Sequence, residues 1–356
     1  MKIALFDPYL DTMSGGEKYM LSIALTLSQK HDVSILWDKT SPDTVAQQAK
    51  KRFNFGLSNL TFARSPFNTS ISLSERFTMT KDYDLIILLS DGSIPIVGCR
   101  LILHFQSPMP WVNGRSLKNK LKLVRVKKII VNSEFTKSFI DKSLGKSSVV
   151  LYPPVTLQRK YDPSKKEKII LNVGRFGINQ AGSSYKKQDV LADTFVKISP
   201  QLEGWKLVLV MGVQDQDKEA FESFKKKFKD SSVEMMANVS NDTLWDLYEK
   251  ASIYWHASGF GEDLASHPDR AEHFGISTVE AMGTGAVPVV VDAGGQKEIV
   301  EKGKNGFRWT SLEELQQQTL ELISDKEKLQ ELAERGVEDA EKFSLDRFVK
   351  RVNELV

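Results

Sequence analysis

The sequence has a single cysteine, Cys99, in 356 residues. A lone thiol excludes a disulfide framework and a thiolate metal site within one chain, and it fits a reducing compartment. No apolar run is long enough to cross a bilayer, and the opening MKIALFDPY turns polar too soon for a signal-peptide core. There is no short-period repeat and no low-complexity tract. No His, Asp and Glu residues fall at a convincing metal-ligand spacing. Asp82–Asp84 (DYD) resembles an Asp-x-Asp metal motif but leads into LIILLS and reads as a strand start. Gly283–Gly285 (GTG) is no dinucleotide fingerprint, because Pro288 follows where that motif needs a helix. What remains is a soluble, cytoplasmic chain of ordinary composition, 41% hydrophobic and 27% charged, with room for one very large domain or two ordinary ones.

The net charge of +3 conceals an asymmetry. Residues 1–155 carry a net of +9 and the remainder a net of −6. Such a split suggests two bodies with different partners. The densest basic stretch, RSLKNKLKLVRVKK over 115–128, has seven basic residues and no acid. It reads either as a solvated helix face or as a surface for anionic lipid or an anionic acceptor. Nucleic acid fits less well, because few aromatics are interleaved with the charges, and no nucleic-acid partner is expected.

Short apolar runs alternate with helical patterns through the first half: KIALF, DVSILW, DLIILLS, LILHF, KKIIVNS and SSVVLYPPV. Ser14 and Glu17 have capping-box spacing ahead of a helix over YMLSIALTLSQK. Strands bounded by helices argue for a parallel sheet covered on both faces. The pattern breaks at YPPVTLQRKYDPSKKEK and restarts with IILNVGRF, KLVLVMG, IYWHAS and AVPVVVDAG. This predicts two doubly wound, Rossmann-like α/β domains, 1–160 and 161–340, with a helix over 341–356 returning to the first. Domains of this kind, facing each other, would present the carboxyl ends of both sheets to one cleft.

The stretch EHFGISTVEAMGTGAVPVVVDAGG, from Glu272 to Gly295, concentrates the chemistry. A turn at Gly275 opens a helix, whose free amides suit a phosphate at Gly275 and Ile276. Glu272 precedes that start and Glu280 lies about two turns along it. Carboxylates repel a phosphate but accept from hydroxyls, so the arrangement suits a sugar diphosphate. Spacing alone leaves open an amphipathic helix with two exposed glutamates.

The segment Glu272–Ala281 resembles the E-x-F-G-[ILV]-x-x-x-E-A signature of the retaining family 4, group 1 glycosyltransferases, which have the GT-B fold. SGGEKY, VNSEFTKSFI, VVLYPPV, NVGRF, KKQDVLADTF and GGQKEIVEKGKNGF are similar to further segments of that family, spanning nearly the whole chain. The resemblance implies a nucleoside-diphosphate sugar as donor substrate, GDP- or UDP-linked, with no cofactor and no metal. It implies that Glu272 contacts donor-sugar hydroxyls, that Glu280 binds the ribose, and that Arg175 and Lys186 grip the diphosphate. Phe274, Gly275 and Ile276 belong to the same donor motif. Gly15 and Gly16 would admit close approach of the diphosphate or the acceptor. His104 would stand over the donor sugar. The insert GINQAGSSY lengthens the loop after Arg175, and Lys187 adjoins Lys186, so which lysine meets the phosphate stays open. His273, in EHFGI, is similar to a mannosyltransferase branch of the family. His256 lies near the expected cleft with no role read for it.

The resulting expectation is a retaining hexosyltransferase, with mannose as the first guess, acting on a hydroxyl of a glycan or lipid-linked acceptor. A peripheral contact through 115–128 at the inner face of a membrane is part of it. An epimerase or phosphorylase on the same fold is the second enzyme reading. A non-catalytic GT-B nucleotide-sugar-binding or scaffold protein is the alternative from another class.

Overall fold

The computed structural model describes residues 1–178 and 184–356; part of the GINQAGSSY insert, residues 179–183, lies outside the described residues. The chain divides into two compact units. The first comprises Met1–Pro154 and Leu345–Val356, and the second Val155–Ser344.

The first unit contains seven parallel strands: β1 (Lys2–Phe6), β2 (Asp32–Leu36), β3 (Thr61–Ala63), β4 (Leu85–Leu89), β5 (Arg100–Phe105), β6 (Val126–Val131) and β7 (Val149–Val150). They lie in the order β3-β2-β1-β4-β5-β6-β7. Ile3 of β1 pairs with Val33 on one side and with Leu85 on the other. Side chains alternate between the faces of a strand, so a strand covered on both faces reads as continuous apolar sequence. LIILL in β4 shows this: Leu85, Ile87 and Leu89 enter one core cluster, and Ile86 and Leu88 enter the other.

The helix Gly15–Leu27 follows β1. Its entry is fixed by Glu17, whose carboxylate accepts from the Ser14 amide (2.6 Å) and the Thr12 hydroxyl (2.7 Å). The helix Leu345–Asn353 belongs to this unit as well. Its Phe348 and Val352, one turn apart, are buried in the cluster that holds Tyr19, and the Phe348 and Tyr19 rings lie 5.5 Å apart. Burial of each such side chain contributes about 1.5–3 kcal/mol. Lys128 Nζ donates to the Glu354 and Leu355 carbonyls at 2.9 and 3.1 Å.

The second unit contains six parallel strands: β8 (Glu167–Arg175), β9 (Lys206–Gly212), β10 (Val233–Ala237), β11 (Ala251–His256), β12 (Val287–Val291) and β13 (Phe307–Trp309). Their order is β10-β9-β8-β11-β12-β13. Ile170, Leu209, Ile253 and Trp255 fill one face, and Ile169, Leu171, Val208 and Tyr254 the other. The chain steps outward from β8 through β9 to β10, then returns beside β8 as β11. This reversal leaves a crevice at the carboxyl ends of β8 and β11. Arg175 is the last residue of β8 and His256 the last of β11.

Candidate active site

Three side chains converge near that reversal in the second unit. The Glu272 carboxylate accepts from Lys186 Nζ at 2.8 Å and lies 3.3 Å from His256 Nε2, both through Oε2. The side chains of Lys186 and Glu272 keep 26% and 22% of their exposure, while that of His256 keeps 4%. The network is therefore closed from behind and open in front.

Burial alone would raise the Glu272 carboxyl, but the Lys186 ammonium and the His256 contact outweigh it and hold the group well below its ordinary range. Burial lowers His256, against the opposing pull of Glu272. A neutral imidazole beside an ionised carboxylate must give its Nε2–H to it. That tautomer leaves Nδ1 as a bare acceptor, and Nδ1 is buried without a partner among the described residues.

Glu272 precedes a turn that three glycines shape. Gly275 has φ +121°, and a Cβ there would stand 2.6 Å from Gln296 Nε2. Gly295 donates its amide to the Glu272 carbonyl at 2.8 Å. A Cβ on Gly294, at φ +59°, would stand 2.2 Å from that same carbonyl oxygen. The helix Ile276–Gly283 starts at this turn; its Thr278 amide bonds the Gly275 carbonyl at 3.0 Å, and those of Ile276 and Ser277 lie ahead of that first bond. Gln296 is fully buried beside Gly275, and neither atom of its amide has a partner among the described residues. Phe274 points inward, 2% exposed, with its ring 5.2 Å from that of Phe343. Ile276 stays half-buried at the helix start.

Glu280 lies on the same helix and accepts from the Tyr248 hydroxyl at 2.9 Å. Tyr254 donates to Ser277 Oγ at 2.8 Å. Arg175 is exposed, and its guanidinium makes no ion pair among the described residues. The structure separates the two adjacent lysines. Lys186 reaches Glu272. Lys187, in the left-handed region at φ 57° and 8% exposed, bonds Glu262 at 2.5 Å, and Arg270 holds the other Glu262 oxygen at 2.8 Å. Lys187 thus ties down the loop after β11.

Gly15, Gly16 and His104 lie in the first unit. The Gly16 carbonyl accepts from Gln106 Nε2 at 3.1 Å, and a Cβ on Gly16 would stand 2.4 Å from Gln106 Oε1. His104 is the penultimate residue of β5 and has no exposed surface. Its Nδ1 lies 3.3 Å from the Ile130 carbonyl, its Nε2 has no partner among the described residues, and the Tyr19 ring meets it edge-on at 4.7 Å. Burial pushes its pKa down to about 3 against the pull of that carbonyl, so the ring is neutral.

The basic stretch 115–128 forms the helix Leu117–Leu123 and leads into β6. Leu117, Leu121 and Val124 are 77%, 67% and 80% exposed, spaced as one helical stripe among the lysines. Among the described residues, no helix is long and apolar enough to cross a membrane, and no three His, Cys, Asp or Glu side chains group as metal ligands would.

Sequence reasoning left His256, Gln296, Tyr248 and Ser277 without roles. One signal was available for His256: it ends an apolar strand, and His104 lies one residue from the end of another.

The family described as "Glycosyl transferases group 1" matches residues 156–339. The "GDP-Man:Man(3)GlcNAc(2)-PP-Dol alpha-1,2-mannosyltransferase" of Dictyostelium discoideum is 25% identical over 433 aligned residues, covering 98% of this chain and 83% of that protein. An uncharacterized glycosyltransferase of Methanocaldococcus jannaschii is 26% identical over 233 residues, 64% of this chain and 58% of its own length. The crystal structure of HepE from Anabaena in complex with UDP superposes with a TM-score of 0.75 at 18% identity, covering 99% of both chains.

Proposed function

The chain belongs to the group 1 glycosyl transferases, and on that premise we propose that it is a retaining, metal-independent hexosyltransferase that takes mannose from GDP-mannose. The two-unit GT-B fold and glycosyltransferase activity go with the family. The sugar, the base and the stereochemistry are our reading. The observation that carries it is the half-buried, ionised Glu272, held by Lys186 and His256 just ahead of a helix start. The resemblance to a relative named for GDP-Man supports the donor.

In this reading Glu272 accepts from hydroxyls of the transferred sugar, and Glu280 accepts from the ribose. The amides at Gly275 and Ile276 meet the phosphate, with Arg175 and Lys186 supplying positive charge as the diphosphate departs. Lys187 is committed to Glu262, which supports Lys186 as the lysine that meets the diphosphate. Phe274 positions the turn from inside. Fully buried, His104 packs edge-on against Tyr19 of the helix that Gly15 opens. The leaving diphosphate takes the acceptor proton on the face it vacates, so the chain's contribution is positioning and charge. The acceptor offers a hydroxyl of a glycan or of a lipid-linked glycan. The stripe Leu117–Leu121–Val124 among lysines supports peripheral contact with an anionic membrane, where each basic residue contributes about 1 kcal/mol.

Donor hydrolysis across GDP-, UDP- and ADP-sugars, with and without EDTA, tests the proposal. GDP-mannose turnover indifferent to chelator is expected, and it should fall severely in folded Glu272→Ala and Arg175→Ala proteins. Turnover confined to another donor, or abolished by EDTA, refutes the corresponding part. Flotation with liposomes that ignores anionic lipid content refutes the membrane contact.

A further inference from the structure

The first unit holds a cavity of about 550 Å³ outside the carboxyl ends of β1, β2, β3 and β4. These four strands are neighbours, and the chain reverses direction across the sheet between β1 and β4. That is where open α/β sheets take ligands. The cavity floor is apolar: Phe6 and Phe67 meet there with ring centroids 4.6 Å apart. The rim is cationic. Lys39, Arg76, Lys118 and Lys122 all line the cavity, against two carboxylates, Asp38 and Asp91.

None of the four cations forms an ion pair among the described residues. Two are aimed by neutral groups instead. Arg76 donates its Nε to the Pro66 carbonyl at 3.0 Å and lies over the Phe67 ring, which leaves its two terminal nitrogens without partners among the described residues. Lys39 donates to the Pro8 carbonyl at 2.6 Å and lies over Trp37. Partial burial, and then the charges of Lys118 and Arg76, push the Lys122 ammonium below its ordinary range. Three cations therefore line one cavity with no ion-pair partner among the described residues, an arrangement that an anion relieves.

We propose that this cavity is a phosphate-recognising subsite, in which Arg76, Lys118 and Lys122 hold a phosphate or diphosphate of the acceptor over an apolar floor. A guanidinium fork with free terminal nitrogens matches phosphate oxygens in pairs, and lysines add point charge. The assignment to an acceptor rests on the glycosyltransferase reading above. The anion chemistry does not.

The test is calorimetric titration of the full chain with sodium pyrophosphate. Wild type is compared with the double variant Arg76→Gln, Lys122→Gln. The control is Lys225→Gln, Lys226→Gln, on the exposed side of a helix in the other unit. Wild type and control should show the same saturable binding, and the double variant should lose about a hundredfold in affinity. The swap Arg76→Lys, Lys122→Arg keeps both charges and should restore most of that binding, which separates charge from folding. Equal binding in all proteins overturns the proposal. So does a loss confined to flotation with phosphatidic-acid vesicles, which assigns these cations to a lipid-facing surface. Pyrophosphate binding that follows Arg76 and Lys122, in a chain that hydrolyses no sugar nucleotide, upholds the anion site and removes its assignment to a transferase acceptor.

Discussion

Replacing His256 by leucine removes one of the two donors to Glu272 and leaves the other in place. The lost contact is 3.3 Å long. That is beyond the usual range for an N–H donor, so its worth lies at the low end for a bond to a charged group, about 1.5 kcal/mol. A factor of ten in rate corresponds to about 1.4 kcal/mol, so kcat/KM should fall about tenfold. The pH profile should move as well. Burial opposes ionisation of Glu272, and His256 is one of the two groups that overcome it. Without that contact the carboxylate takes up its proton at higher pH, and the acid limb of kcat/KM shifts upward. His256→Gln keeps a side-chain N–H and should recover most of the rate together with the position of the limb. The assay is donor turnover against pH for the three proteins, with unfolding midpoints to show that each is folded. A leucine variant with wild-type rate and an unmoved acid limb refutes the reasoning. A glutamine variant as slow as leucine, with the same profile, shows that shape matters and the bond does not.

Gly294→Ala should cost about 2 kcal/mol or more of stability and lower turnover further, because its Cβ meets the Glu272 carbonyl at 2.2 Å from a left-handed backbone; urea midpoints and rates check both. Burial first, and Glu17 second, raise the Asp7 carboxyl to about 7 from 3.8. The folded chain then keeps a proton that the unfolded chain gives up, so stability falls as pH rises through that window, by about 4 kcal/mol in all. Asp7→Asn should raise the urea midpoint at about pH 8 and leave it nearly unchanged at about pH 4. His104 acts at the acid end. Its pKa is lowered to about 3 from 6.5, so the unfolded chain takes the proton first and stability falls as pH drops through that range. The loss should reach about 2 kcal/mol at about pH 5, and His104→Gln should flatten that limb of the urea-midpoint profile.

The long strands were legible because a buried parallel strand writes itself as an apolar run: LIILL, LILHF and KLVLVMG are each strands in the structure. The short or mixed ones were not. β3 and β13 have three residues each, and VEMMA in β10 carries an exposed glutamate; their pairing comes from neighbouring strands more than from their own composition. At the site, Glu272, Glu280 and Gly275 were legible from a local motif. His256 and Gln296 were not, because their meaning lies in contacts across 16 and 21 residues of chain, with Glu272 and Gly275 respectively. The adjacent lysines could not be told apart from sequence either. One is diverted by Glu262, 75 residues away, in a loop with no periodicity to mark it. Cations at 118 and 122 read as a basic run, and only the fold places Lys39 and Arg76 beside them around one cavity.

The helix Leu345–Asn353 sets an order of events during biosynthesis. The first unit is built from two pieces of chain separated by the whole of the second. A ribosome therefore releases Val155–Ser344, a continuous unit, before it releases the residues that complete the first. Tyr19 waits for Phe348, and the surface that Phe348, Val352 and Leu355 cover stays bare in the nascent chain meanwhile. Domains usually fold in the order in which they are made. Here the unit that starts first finishes last, so a premature stop after Ser344 would spare the continuous unit and leave the amino-terminal one as the target of chaperones and proteases.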